Sequence, residues 1–385
     1  MPRSRWKTPF LLLLGAVPLS AAAVLAGGWY YSDSLRKGAL EPSRDPSKLD
    51  LEAVAIDHGR VTLRASSSMD NRDWETEGAF GLEWPGGYAQ VSRIRERDGM
   101  RVIRDFRPIT GVLRPGDRVR LDSFAFPANP LDALGMAFQE VKFNSPLGEM
   151  PAWFIEGSRN TWVIFVHGKG ANRREALRML PAVNRLGFPS LIITYRNDVE
   201  APSSEDGFYR YGLTEWEDLE SAVYYAVNHG AEKLVLVGYS MGGAIVASFL
   251  YQSSAAARVA AVILDSPMLD FGATVDHGVR GRRLLAPVQA AGKQLAALRF
   301  DIDWDKLNYL KRADEIEVPI LLFHGDSDDR VPVETSDALA EARPDIVTYV
   351  RTPGVDHVRT WNAAPASYET AVREFLQRVT AKALP

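Results

Sequence analysis

The spacing of apolar positions changes character several times along the chain. An uncharged, mostly apolar run covers residues 8–32. Arg3, Arg5 and Lys7 precede it, and Trp29, Tyr30 and Tyr31 lie at its end. A bilayer crossing takes roughly 20 apolar residues, and aromatic residues collect at its boundaries. The pattern therefore predicts an N-terminal transmembrane helix over 1–32. Residues 33–50 are polar, with Pro42 and Pro46, and read as a linker. From 51 to 137 short alternating runs are broken by Asp57-His58-Gly59, Pro85-Gly86-Gly87, Asp98-Gly99 and Pro115-Gly116-Asp117. Period-two runs between glycine turns predict hairpins and a small antiparallel β domain. His58, inside one such turn, reads as structural.

From Phe138 the period changes again. One more hairpin surrounds Ser145-Pro146-Leu147-Gly148. Strand-like runs at 161–166, 190–195, 233–237, 260–264, 320–323 and 347–350 then alternate with helical patterns, chiefly 173–186, 215–228 and 367–379. Thr214 and Glu217 have the spacing of a capping box for the second of these helices. Strict alternation of strands and helices predicts a mostly parallel sheet with helices on both faces, in a domain spanning 138–385. Residues 267–318 form a longer excursion with helical patterns near 284–298 and 304–313, and could make a small cap.

The most informative stretch is Leu234-Val235-Leu236-Val237-Gly238-Tyr239-Ser240-Met241-Gly242-Gly243. A buried strand runs into Gly-x-Ser-x-Gly and then into a helical pattern. At such a turn a serine is held at a strained backbone position with its hydroxyl above the sheet. Small residues at 238 and 242 fit where strand and helix come closest. A serine hydroxyl needs a base, and the base needs an orienting group. In an open parallel sheet both come from loops at the carboxyl ends of strands. His167 and His324 each end a strand in a His-Gly pair, and His357 follows the last strand. His357 is the candidate base. His324 reads as strand-end structure, His167 precedes the turn where oxyanion donors belong, and His229 and His277 lie in or after helices. The acid comes from the loop His324-Gly325-Asp326-Ser327-Asp328-Asp329-Arg330-Val331-Pro332. Asp328 is preferred, with Asp326 and Asp329 as competitors and Asp265 as a rival from the neighbouring strand. The backbone N–H groups of Met241 and Lys169 are the candidate oxyanion-hole donors, with Gly170 second to Lys169. Arg196 or Asn197 could touch substrate, although a structural ion pair or turn is the preferred reading.

Composition narrows the function further. Lys plus Arg is 45 against 49 Asp plus Glu, a formal net charge of −4. With no dense basic tract, nucleic acid is not expected as a partner. The absence of cysteine excludes disulfides, thiolate catalysis and cysteine-held zinc. Neither metal-ligand spacing nor a phosphate loop appears, so no cofactor is expected.

These motifs carry a resemblance. His167-Gly168-Lys169-Gly170, the serine turn, Leu264-Asp265-Ser266-Pro267, His324-Gly325-x-x-Asp328-x-x-Val331-Pro332 and His357 resemble, in order, the α/β-hydrolase fold superfamily. The likeness is greatest to its serine-aminopeptidase-like and monoacylglycerol-lipase-like branch and runs from Phe138 to Pro385, roughly two-thirds of the chain. The membrane-anchored layout is similar to that of membrane-tethered hydrolases acting on lipids or acylated proteins. The resemblance implies a serine hydrolase that cleaves a carboxylic ester or thioester of a small or lipid-like acyl substrate through an acyl-enzyme on Ser240, with Asp328 and His357 completing a triad. A peptidase of the aminopeptidase type and a non-catalytic envelope binding protein are the alternatives. The short basic tail favours a single-pass arrangement with the catalytic domain outside the cytoplasm, although Arg36 and Lys37 on the far side oppose it. Secretion after cleavage at Ala21-Ala22-Ala23 is the other reading, less favoured because the apolar run continues past Ala23. Oligomeric state is not set by any pattern in the sequence.

Overall fold

The computed structural model describes residues 9–42, 48–66, 73–279 and 285–381, with side chains from residue 21 onward. The alternating runs of the first half curl into a closed barrel. Its strands are β1 (Leu51–Asp57), β2 (Arg60–Ala65), β3 (Phe80–Trp84), β4 (Gly87–Asp98), β5 (Arg101–Thr110) and β6 (Arg118–Asp122), in the order β1-β2-β5-β4-β3-β6, and all pairings are antiparallel. The apolar residue of each alternation points inward. Leu51, Val61, Leu63, Leu82, Val91 and Val119 fill the interior, as expected when one strand face is buried. A short helix, α2 (Pro130–Leu134), leads out of the barrel. Asn129 caps it by accepting from the N–H groups of Leu131 and Asp132.

The second half is an eight-stranded sheet built from β7 (Gln139–Ser145), β8 (Gly148–Ile155), β9 (Thr161–Val166), β10 (Ser190–Ile193), β11 (Lys233–Tyr239), β12 (Val259–Asp265), β13 (Ile320–Gly325) and β14 (Val347–Thr352), in the order β14-β13-β12-β11-β9-β10-β8-β7. The hairpin β7–β8 joins antiparallel at one edge, and β9 to β14 run parallel. The helices between and around them are α3 (Leu180–Asn184), α4 (Trp216–Asn228), α5 (Met241–Gln252), α6 (Phe271–His277), α7 (Ala286–Phe300), α8 (Glu334–Ala342), α9 (Thr360–Ala363) and α10 (Pro365–Ala381). Along β11 every residue after Lys233 is buried, because helices cover both faces. Burial of one such Val or Leu side chain contributes about 1.5–3 kcal/mol. The sheet's two faces belong to separate apolar clusters, one including Leu236 and Ile245 and the other Val237 and Phe375.

Local expectations differ from the structure where tertiary contacts intervene. The helical pattern at 173–186 is split into a 3-10 turn, Arg173–Arg178, and α3. Pro181 sits in the first turn of α3, where its missing N–H costs nothing, but it would break a helix continuing through it. The Thr214–Glu217 capping box does not form. Glu215 instead turns its carboxylate inward to accept from the backbone N–H groups of Arg210 and Gly212. The 304–313 pattern becomes a turn followed by a 3-10 segment, Tyr309–Glu315.

The N-terminal apolar run is helical as α1 (Pro9–Leu35), and a further turn of π-helix covers Arg36–Leu40. Among the described residues no helix is long and apolar enough to cross a membrane, and 1–20 lie outside those with described side chains. The end of α1 lies along α7. Gly28 approaches Ala291, and a Cβ on Gly292 would overlap the Tyr31 ring. Arg299 donates to Asp33 Oδ1 at 2.8 Å and stacks its guanidinium 3.7 Å over Trp29. Beyond it the chain is held by the Tyr209 N–H and the Tyr211 hydroxyl, which donate to the carbonyls of Leu40 and Ala39 at 2.8 Å each.

The barrel is fastened to the sheet domain by polar contacts. Asn362 Nδ2 donates to the Ala79 and Ser123 carbonyls at 2.7 and 2.9 Å. Arg174 pairs with the buried Asp122 and with the Phe126 carbonyl. Removing one partner of a buried pair leaves an uncompensated charge. Arg174→Ala is therefore expected to lower the unfolding free energy by about 3 kcal/mol, measured as a shifted urea midpoint. An unchanged midpoint would count against the pair as a fastening.

Candidate active site

The geometry of the serine turn follows from close approach. At Ser240 the backbone has φ +50°, a conformation that costs a non-glycine residue of order 1–3 kcal/mol. Its N–H donates to the Asp265 carbonyl at 3.0 Å, and its own carbonyl accepts from Met268 N at 3.0 Å and Gly243 N at 2.9 Å. A Cβ at 238 would lie 2.6 Å from the Gly242 carbonyl oxygen, and one at 242 would lie 2.8 Å from that of His167. Only glycine allows β9, β11 and α5 to meet so tightly there.

The loops at the carboxyl ends of β9, β11, β13 and β14 converge on this turn. His357 Nε2 lies 2.9 Å from Ser240 Oγ, and His357 Nδ1 lies 2.6 Å from Asp328 Oδ2. Two contacts hold the loop that carries His357. Ser266 Oγ accepts from Val358 N at 3.1 Å, and Arg178 donates to the Val358 carbonyl at 2.6 Å. Of the aspartates weighed from the sequence, Asp328 alone bonds His357 among the described residues. Asp326 accepts from Gly354 N at 2.7 Å and pairs with Arg351. The Asp329 N–H donates to Asp356 Oδ1 at 3.3 Å; burial, reinforced by the negative charge of Asp356, raises the pKa of the Asp329 carboxyl. Asp265 accepts from the Tyr368 hydroxyl at 3.0 Å, and burial pushes it up to about 6, against the opposing field of Arg178.

Asp328 is a buried carboxylate with four donors. Oδ1 accepts from the N–H groups of Arg330 and Val331 at 2.9 and 2.8 Å, and Oδ2 faces His324 Nε2 at 3.0 Å as well as His357. Burial alone would raise its pKa, but the hydrogen bonds from the two histidines outweigh it and hold the carboxyl well below the usual range. His324, read from the sequence as strand-end structure, is thus bonded to the candidate acid. Its Nε2 faces two acceptors, Asp328 and the Val331 carbonyl. That nitrogen therefore carries a hydrogen, and Nδ1 lies 2.7 Å from Ser336 Oγ.

The His167–Gly170 loop stands opposite. Gly168 N donates to Glu175 Oε2 at 2.8 Å, so that N–H is already engaged. His167 lies beneath, with Nδ1 2.9 Å from the Gly168 carbonyl and Nε2 2.9 Å from Asp198. Burial opposes its protonation, but Asp198 reverses this and its pKa is raised. Lys169 lines the same cavity as Ser240 and Met241. Met241 opens α5, where a first-turn N–H has no intrahelical acceptor. Arg196 has the structural role preferred above. It is buried and donates to Asp218 at 2.8 and 3.0 Å and to Glu217 at 2.9 Å. Asn197 bonds Phe208 and Ser204.

The cavity above Ser240 measures about 480 Å³. Much of its wall was not legible in the sequence. Tyr31, Leu35 and Ala39 come from α1 and the turn after it, Ser123 and Phe124 from the loop after β6, and Phe271 and Val275 from α6. No local signal marks them, because each reaches the site through long-range packing.

Comparisons with known proteins agree with this architecture. A family model described as the alpha/beta hydrolase fold matches residues 161–296, and one described as a domain of unknown function matches 52–122. The chain is 25% identical over 287 residues to the uncharacterized protein YfhR of Salmonella typhimurium, covering 68% of this chain and 89% of that one. It is also 25% identical over 223 residues to the uncharacterized protein YqkD of Bacillus subtilis, covering 56% of this chain and 71% of that one. Among solved structures, the Pyrococcus furiosus esterase Pf2001 superposes with a TM-score of 0.51 at 22% identity, covering 66% of this chain and 96% of the esterase. A puromycin hydrolase superposes with a TM-score of 0.51 at 17% identity, covering 85% of this chain and 46% of that one. The chain has the α/β-hydrolase fold, with an antiparallel barrel ahead of it.

The depressed pKa of Asp328 sets the sign of a stability change. Its ionised form stabilises the fold in full above the unfolded carboxyl value of about 4, and this contribution is lost as pH falls through the lower folded value. Urea midpoints of wild type and Asp328→Asn are therefore expected to differ most above pH ~4 and to converge below it. A difference that grows toward acid would contradict this assignment.

Proposed function

We propose that the chain is a serine hydrolase that cleaves a carboxylic ester or thioester through an acyl-enzyme on Ser240. The observation that carries this reading is the pair of contacts of His357, 2.9 Å to Ser240 Oγ and 2.6 Å to Asp328 Oδ2, at the wall of the cavity. In this mechanism the Ser240 proton passes to His357 Nε2 as Oγ bonds the acyl carbon. Asp328 holds the Nδ1–H tautomer and stabilises the imidazolium without taking the proton. The oxyanion is met by the N–H groups of Met241 and Lys169, donors worth about 10²–10³ in rate where tested singly. The imidazolium then protonates the departing alcohol or thiol. Water, deprotonated by the same histidine, releases the acid and restores Ser240. The apolar part of the cavity wall supports an acyl chain as the group retained on the serine.

A fluorophosphonate probe is expected to label the full-length protein, and Ser240→Ala to abolish labelling. Asp328→Asn should lower kcat on p-nitrophenyl acyl esters by about 10⁴. Labelling that persists in Ser240→Ala sinks the proposal. Turnover of aminoacyl-nitroanilides in preference to acyl esters would move the reading to a peptidase.

The membrane assignment is likewise a proposal. The apolar run 8–32 and its basic flank support it, as do the exposed Leu25, Trp29 and Tyr30 of α1 and Leu298 of α7. The full chain is expected to stay with carbonate-washed membranes with its catalytic domain outside the cytoplasm. Recovery of the full chain in the soluble fraction would refute the anchor, and loss of its first residues on export would favour a cleaved signal peptide.

A further inference from the structure

The walls of the cavity differ in chemistry from one side to the other. On the α1 and α6 side it is apolar, lined by Tyr31, Leu35, Met268, Phe271, Val275 and Val279. On the barrel side it is polar, and Gly170, Ser123, Phe124, Arg330 and Arg359 also line a second cavity of about 410 Å³ at the barrel. The second cavity adds Lys48 and Arg120. The two cavities share these lining residues, and Ser240 lines the first, whose α1 and α6 side is its apolar arm.

Several acids also line these two cavities, but most are already matched. Glu175 pairs with Arg178 at 3.4 Å, Asp356 with Arg359 at 3.4 Å, and Asp122 with Arg174. Asp50 shares the second cavity with Lys48 and Arg120. Lys169 and Arg330 are different, since neither has a carboxylate within ion-pair distance among the described residues. Lys169 Nζ donates to the Gly38 carbonyl at 3.0 Å, and the Arg330 side chain is exposed at the mouth. Burial, and then the charge of Arg330, lower the Lys169 pKa. Two cations that repel each other beside a reactive serine are stabilised by an anion placed between them.

We infer, resting on the hydrolase reading above, that the substrate is an amphiphilic acyl ester whose alcohol portion carries a phosphate or carboxylate, held by Arg330 and Lys169 while the acyl chain occupies the apolar arm. An ester has two sides. The apolar arm suits the chain, which leaves the charged group to the alcohol. Arg330 recognises such an oxyanion through its planar fork, and Lys169 as a point charge. Arg330 is therefore a specificity-determining residue. It lies two positions beyond Asp328 and acts through its guanidinium, while its backbone N–H serves the carboxylate.

The test compares decanoyl lysophosphatidylglycerol with monodecanoylglycerol, both below their micelle-forming concentrations, using the full-length protein in a non-ionic detergent. The anionic ester is expected to have a kcat/KM about tenfold higher. Arg330→Gln should remove most of that ratio, Arg330→Lys should retain part of it, and added salt should shrink it. Equal turnover of the two esters, or a ratio unmoved by Arg330→Gln, overturns the inference and leaves the hydrolase reading standing. So does turnover of p-nitrophenyl esters without either glycerol ester. A protein that cleaves no ester at all overturns both.

Discussion

The constraint on which the structure depends is the close approach of β9, β11 and α5 at the serine turn. Ser240 occupies a backbone conformation that a free chain would leave, and three backbone hydrogen bonds together with the packing of two glycines hold it there. The strain is affordable because β11 lies inside the sheet, flanked by β9 and β12 and buried almost throughout. A residue fixed in this way presents its hydroxyl at one position. The loops after β9, β13 and β14 open at that same edge of the sheet.

Asp328 has a comparable role among the side chains. A buried carboxylate is costly unless its lone pairs are met, and here two backbone N–H groups and two histidines meet them. The arrangement also sets orientation. His324 takes one position on Oδ2, which limits how His357 can approach, and the Ser266 and Arg178 contacts fix the loop behind it. The pocket above is completed by segments outside the sheet domain. The end of α1 supplies apolar wall, and the barrel loop after β6 supplies Ser123 and Phe124. The barrel and the N-terminal helix are therefore parts of the cavity as well as attachments to the domain.

Legibility in the sequence followed the range of the interactions. The turn around Ser240 was readable because its cause is local: branched apolar residues, two small residues and a helical pattern occupy consecutive positions. The parallel sheet was readable from the alternation of strand and helix periods. Asp328 was harder to separate from Asp326 and Asp329, since all three occupy one loop. What distinguishes them is which carboxylate faces a histidine 29 residues away. The capping box at Thr214 and Glu217 illustrates the opposite case. A local pattern was present, but the buried Glu215 met the N–H groups of Arg210 and Gly212 instead, so tertiary burial overrode propensity. His324 likewise looked like an ordinary strand end until its partner was in view.

By itself, then, the sequence determined the order of the elements, the antiparallel character of the first half, the parallel sheet of the second and the residue types able to carry nucleophile, base and acid. Periodicity and glycine placement are local quantities, and they survive without knowledge of the fold. Only the tertiary structure decided which aspartate meets His357, that His324 shares its oxygen, and that α1 and the barrel wall the cavity. It also decided that Lys169 and Arg330 line one cavity with no acidic partner among the described residues. Those relations join residues far apart in the chain, and their energies depend on burial and distance, which no single stretch of sequence encodes.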